Sequence, residues 1–286
     1  MGRGVRAVGI YKSERGELAV QRAYRDVLDS WPVPAERRTV ETSLGPTFVL
    51  ESGPEDRPPL VLLHGSGTNT AMWRAEVPTW SRHHRVLALD LPGEPGLSTQ
   101  VRPDLDSDAH ARWLGEVFDA LGLRAPAVVG GSLGAWVALD LAVRRPDRVG
   151  RLVLLAPAGV GRQTYGWILP VVLLRLLGPW GRRRSVAAVA GLADEQFLDH
   201  LAATHRAFRP RTERLPVFTD AQLAGLSMPV LAIAGERDAM FDTAETARRL
   251  GEVPGAEVRV LAGVGHSVLG QAAVVEEFLT SRSTVE

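Results

Sequence analysis

The sequence predicts a doubly wound α/β fold: a mostly parallel sheet with helices on both faces and a helical segment inserted late in the chain. Three observations carry this. Short runs rich in Val, Leu and Ile alternate with stretches of helical spacing. Most of those runs end in Gly, Pro or Asp, and one interval of about seventy residues between two runs has helical but no strand character.

In chain order, residues 13–30 read as an amphipathic helix with Leu18, Tyr24 and Leu28 on one face. "TVETSLGPTFVLES" (39–52) reads as an antiparallel hairpin at the sheet edge, turning at "SLGP". "PLVLLHG" (59–65), "HRVLALDLPG" (84–93), "APAVVGGS" (125–132), "RLVLLAP" (151–157), "PVLAIAGERD" (229–238) and "AEVRVLAGVGH" (256–266) follow as strands. They are nearly continuous in apolar residues, as expected of strands buried on both faces. Helices are expected over 108–121, 133–145, 242–250 and 270–280. The resulting division is an N-terminal helical extension (1–37), a core (38–156 and 229–286) and a helical cap or lid (157–228).

Composition narrows the partners. The chain has 286 residues, enough for a substantial core, and its 33 Lys plus Arg balance 33 Asp plus Glu. No net field is available to hold nucleic acid, so a small neutral substrate is expected instead. Zero cysteines exclude disulfides, a thiolate nucleophile and thiolate zinc sites. The start of the chain has no apolar h-region, which predicts a cytoplasmic protein. The lid stretch "GWILPVVLLRLLGPW" (166–180) is shorter than a bilayer span and broken by Pro170 and Arg175. It therefore reads as a lid helix packed over a cavity without stable membrane insertion, and interfacial contact helped by Arg182, Arg183 and Arg184 is the alternative. Trp167, Leu173 and Leu174 are the candidate substrate-binding residues, beside the apolar Leu169, Val171 and Trp180.

Gly130-Gly131-Ser132-Leu133-Gly134 fits G-x-S-x-G, a sharp strand-to-helix turn that raises a serine hydroxyl above the sheet. Alone, five residues would also fit a glycine-rich helix start with Ser132 as its N-cap. The surroundings decide. A serine nucleophile needs a base oriented by a carboxylate. Asp238 closes one strand and His266 another, so Ser132, Asp238 and His266 fall at the same sheet edge in an order unlike that of the two common protease triads. An oxyanion would be met by the Leu133 amide, at a helix N-terminus, and by the Ser66 amide in the loop His64-Gly65-Ser66-Gly67. His64 is read as a loop-fixing hydrogen bonder and Asp90 as a strand-end one.

From about Arg38 to Leu279 the motifs "LLHGSG", "LDLPGEPGLS", "GGSLGAWVALDLA", "MPVLAIAGERD" and "GVGHSV" occur in an order that resembles the α/β-hydrolase superfamily, and within it small bacterial carboxylesterase-type hydrolases with a helical cap. The resemblance implies eight strands, the triad Ser132, Asp238 and His266, and no cofactor. "GEPGLS" (93–98) departs from the family's common G-x-G-x-S by one residue. Serine at position 132 also excludes the dehalogenase and epoxide-hydrolase branches, which need aspartate there. No metal is expected: the seven histidines form no H-E-x-x-H, and His83, His84, His200 and His205 read as surface or lid residues. Hydrolysis of an ester or related acyl compound is the expected reaction. Carbon–carbon bond hydrolysis of a diketone, thioester hydrolysis or perhydrolysis on the same triad, and a small-molecule receptor role on the same fold, are the alternatives.

Overall fold

The computed structural model describes residues 9–178, 180, 181, 184, 185, 201 and 203–281. Eight strands form one sheet: β1 (Ala35–Thr42), β2 (Gly45–Ser52), β3 (Pro59–Leu63), β4 (Arg85–Leu89), β5 (Ala127–Gly131), β6 (Arg151–Leu155), β7 (Val230–Gly235) and β8 (Ala256–Leu261). Their spatial order is β1-β2-β4-β3-β5-β6-β7-β8. β2 runs antiparallel to both β1 and β4, and every other neighbouring pair is parallel. The hairpin turns at Gly45, whose φ of 112° lies where an L side chain is strained.

The chain winds outward from β3 to β4 and then returns to lay β5 on the other side of β3. This reversal is a topological switch point, where the loops after β3 and β5 leave the sheet side by side. Ligand sites of open α/β sheets collect there.

Alternation along the strands divides the core into two layers. Val61 and Leu63 face a layer with Trp113, Phe118, Trp136, Leu139 and Leu250, contributed by α3 (Ala109–Ala120), α4 (Leu133–Arg144) and α7 (Thr243–Gly251). Leu60 and Leu62 face the opposite layer with Tyr24, Leu28, Trp80, Val275 and Leu279, from α1 (Glu14–Asp29), α2 (Val77–Trp80) and α8 (Ala272–Thr280).

Three expectations need correction. On α1, which starts at a Ser13 cap accepting the Gly16 amide, the buried residues are Val20, Tyr24 and Leu28, while Leu18 is 56 % exposed. Six residues separate Leu18 from Tyr24, which turns the helix about 120° away from the buried stripe. β8 is not buried on both faces: Glu257 and Val260 are exposed and the other four residues only partly buried, because β8 is the edge strand. His84 is no surface residue either. It is buried 3.5 Å from Glu276 of α8, whereas His83 is exposed.

Between β6 and β7 lie α5 (Ile168–Arg175) and α6 (Asp220–Ala224), with no strand among the described residues of this interval. Arg182, Arg183 and residues 186–200, among them His200, lie outside the described residues. Among the described residues no helix is long and apolar enough to cross a membrane.

Candidate active site

At the end of β5 the backbone turns sharply into α4. Ser132 has φ 52° and ψ −110°, a region that costs a non-glycine residue about 1–3 kcal/mol. Its amide is held by Leu155 O at 2.9 Å, and its carbonyl accepts the Trp136 amide at 3.1 Å. The glycines around it serve close packing. A Cβ at Gly130 would press on the Gly134 carbonyl and on Ala135, at 2.5 and 2.6 Å. At Gly134 it would run into the Leu63 carbonyl at the end of β3, so α4 can start against the sheet only without a side chain there.

The three candidate triad residues meet at the C-terminal edge of the sheet. The Ser132 hydroxyl donates to His266 Nε2 at 3.0 Å, and His266 Nδ1–H donates to Asp238 Oδ2 at 2.8 Å. The second oxygen of Asp238 accepts the amides of Met240 (2.7 Å) and Phe241 (3.2 Å), which fixes the carboxylate plane. Asp238 is almost fully buried and His266 is partly so. The ring of Phe241 lies 5.3 Å from that of His266, a contact that sequence reasoning missed. Asp242 is otherwise engaged: it caps α7 by accepting the Glu245 amide and pairs with Arg162 at 3.0 Å.

The loop after β3 runs alongside this turn. A Cβ on Gly65 would stand 3.6 Å from both the Gly131 carbonyl and Ser132 Cβ. The Gly65 amide is directed at Met72 Sδ (3.4 Å) and the Gly67 amide at Glu94 Oε2 (2.6 Å). The amides of Ser66 and Leu133 have no hydrogen-bond acceptor among the described residues. Beneath the loop, buried His64 holds the Gly65 carbonyl through Nδ1–H (2.8 Å) and accepts the Leu91 amide at Nε2 (2.9 Å). Burial pushes its pKa below the usual histidine range and keeps the ring neutral in that tautomer. Asp90 ties three elements together: one oxygen accepts the Thr70 amide and the Tyr24 hydroxyl, both at 2.9 Å, and the other accepts the Leu97 amide at 2.8 Å.

Glu94 was not foreseen. Its carboxyl is buried beside the loop, and burial raises its pKa to about 7 against the opposing pull of the Gly67 amide, Arg102, Arg211 and the Ser66 hydroxyl. The one available signal was the irregular spacing of "GEPGLS".

The residues expected to bind substrate are placed differently from the triad. Leu173 is 55 % exposed on the outer side of α5, with Leu169 and Val172, and Trp180 beyond is exposed too; Val171 is buried. Trp167 and Leu174 are half-buried, and the Trp167 indole donates to Thr164 O. No hydrogen bond or ring contact joins Trp167, Leu173 or Leu174 to Ser132, Asp238 or His266 among the described residues. Nor do three His, Cys, Asp or Glu side chains stand together there as a metal site.

Comparison with known proteins bears on the fold and the family. Residues 58–218 match the alpha/beta hydrolase fold family. Carboxylesterase YbfK of Bacillus subtilis is 30 % identical over 265 residues, covering 87 % of this chain and 88 % of the relative. Its crystal structure superposes with a TM-score of 0.80 at 29 % identity, covering 93 % of this chain and 99 % of that one. Naproxen esterase from the same organism superposes with a TM-score of 0.81 at 28 % identity, covering 94 % and 98 %. The chain belongs to the α/β-hydrolase family and, within it, is similar to small bacterial carboxylesterases.

Proposed function

We propose that the protein is a serine hydrolase that cleaves a carboxylic ester, or a related acyl compound, through an acyl-enzyme on Ser132. The observation that carries this reading is the unbroken relay from Ser132 Oγ through His266 to Asp238, with bonds of 3.0 and 2.8 Å. In the proposed reaction Ser132 Oγ attacks the substrate carbonyl as its proton passes to His266 Nε2. The negative charge on the carbonyl oxygen is received by the Ser66 and Leu133 amides; losing one such donor costs about 2.7–4 kcal/mol in comparable enzymes. Collapse breaks the bond to the alcohol, which leaves with the proton from His266. Water, deprotonated by the same ring, then attacks the acyl-serine; the bond between the acyl carbon and Ser132 Oγ breaks, His266 returns the proton to Oγ, and the acid is released. Asp238 keeps its own charge throughout, holding the imidazole in the tautomer whose Nε2 accepts. Every step uses groups of this chain and water, so the reading requires no cofactor.

The extent of the similarity to carboxylesterases supports ester over carbon–carbon hydrolysis. A 2-hydroxy-6-oxononadienedioate/2-hydroxy-6-oxononatrienedioate hydrolase of Pseudomonas putida is 28 % identical but matches over only 72 % of this chain. The segment 157–228 is proposed as the cap that selects the substrate, with Trp167 and Leu174 on its half-buried side. The test is a series of p-nitrophenyl esters from acetate to laurate. A maximum of kcat/KM at short to medium chain length is expected, since each buried methylene favours binding by about 0.8 kcal/mol until the pocket is full. If no ester turns over while a vinylogous 1,5-diketone is cleaved, the reaction is carbon–carbon hydrolysis instead.

A further inference from the structure

Three consecutive amides lie in the loop after β3. The first, at Gly65, is tied to Met72 Sδ, and the third, at Gly67, to Glu94 Oε2 at 2.6 Å. Only the middle one, at Ser66, has no acceptor among the described residues. Gly67 is itself in the left-handed region (φ 71°), and a Cβ there would meet His205 Nε2 at 2.8 Å. The turn is thus held between a cap histidine above and a carboxyl below. Glu94 is 1 % exposed and comes from the loop of unusual spacing, Gly93 to Ser98. Its Oε2 also faces the Ser66 hydroxyl at 3.4 Å, and its Oε1 has no partner among the described residues. No Arg or Lys of the described residues reaches ion-pair distance of it. A buried carboxyl with no ion pair among the described residues is costly, and here its one short bond fastens the Gly67 amide.

We propose that Glu94 is a positioning residue of the reaction: by pinning the Gly67 amide it keeps the Ser66 amide turned toward the carbonyl that Ser132 attacks. The inference rests on the ester-hydrolysis reading. An acceptor is what the role requires, and a negative charge so near a developing oxyanion would oppose it. Glutamine, which keeps the acceptor without the charge, should therefore do the same work.

The experiment compares wild type, Glu94→Gln, Glu94→Ala and Ser132→Ala on p-nitrophenyl acetate. Active sites are counted by a fluorophosphonate, and affinity is measured for a trifluoromethyl ketone, whose serine adduct carries an oxyanion. Glu94→Ala should lose on the order of 10- to 100-fold in kcat per titrated site with KM within about twofold, because a misplaced donor is felt mainly in the transition state. Trifluoromethyl ketone affinity should fall by the same factor, and Glu94→Gln should stay within about threefold of wild type. If Glu94→Ala does not fold, Glu94→Asp, which draws the acceptor back by one methylene, should show the same split with a smaller loss. Unchanged kcat per site, a rise in KM alone, or a Gln variant as slow as Ala would each overturn the inference. A wild type inactive on every ester overturns the functional reading and the inference with it. An active wild type beside an unimpaired Glu94→Ala overturns the inference alone.

Discussion

Asp238 Oδ2 stands 2.8 Å from His266 Nδ1 while Oδ1 of the same carboxylate is held by the Met240 amide at 2.7 Å. Asp242, only four residues on, is spent on a helix cap and on Arg162. Asp238→Asn should therefore lower kcat by on the order of 10⁴-fold, by analogy with the same change in another triad. Asp242→Ala should leave kcat within about threefold and lower stability by about 1 kcal/mol, as loss of a cap does. Steady-state kinetics and thermal melts of the two variants decide it; a large loss of kcat at Asp242 alone would reverse the assignment.

Ser132 and His266 are 134 residues apart in the chain and joined by one bond. Groups that act as a unit are not additive: each single alanine variant should lose roughly 10⁴–10⁶-fold in kcat, and the double variant little more. Multiplicative losses would mean that the two act separately.

The same glycine-to-alanine change should have opposite signs at two helical positions. At Gly134 a Cβ would overlap the Leu63 carbonyl, so Gly134→Ala should destabilise by about 1–3 kcal/mol or more. At Gly115, inside α3, a Cβ meets nothing within 4 Å, and Gly115→Ala should stabilise by roughly 0.5–1 kcal/mol. Urea midpoints read both.

Glu94 gives a pH signature. Its carboxyl titrates near 7 when folded, against an ordinary value of 4.5, so between these pH values the folded protein keeps a proton that the unfolded chain has lost. Stability from this group therefore falls as pH rises through that window and is level above it, by up to about 3 kcal/mol. Buried His110, pushed down to about 3 mainly by burial and also by Arg211, acts in the opposite sense: its contribution rises with pH between about 3 and 6.5. The difference between wild type and Glu94→Gln, measured by urea unfolding at pH 5 and pH 8, isolates the first effect. The variant should gain stability relative to wild type at pH 8, and equal differences at both pH values would contradict the assignment.

Much of the fold was legible because parallel buried strands and sharp turns leave local marks. The glycines around Ser132 and the apolar runs that lead into the loops of Asp238 and His266 are such marks, and the structure brings those three side chains together. Other features depend on partners remote in sequence. Leu18 counts as apolar wherever it falls on α1, and it is the packing of Tyr24 against Asp90 and Phe48, with Leu28 and Val20 in the core, that turns the other stripe inward. β8 reads as buried until its place at the sheet edge is known. His84 is buried by α8, almost two hundred residues later, and Glu94 finds its partner at Gly67 through the convergence of two loops. No local pattern encodes such a meeting.

The central claim is a covalent one, and mass spectrometry of the protein quenched during turnover of p-nitrophenyl acetate tests it most directly. A mass gain of one acetyl group, mapped to the peptide containing Ser132, absent from Ser132→Ala and accumulating in a His266→Ala sample given long incubation, is the predicted result. Ester turnover that persists in Ser132→Ala, or an acetyl group carried through turnover on another residue, would contradict it.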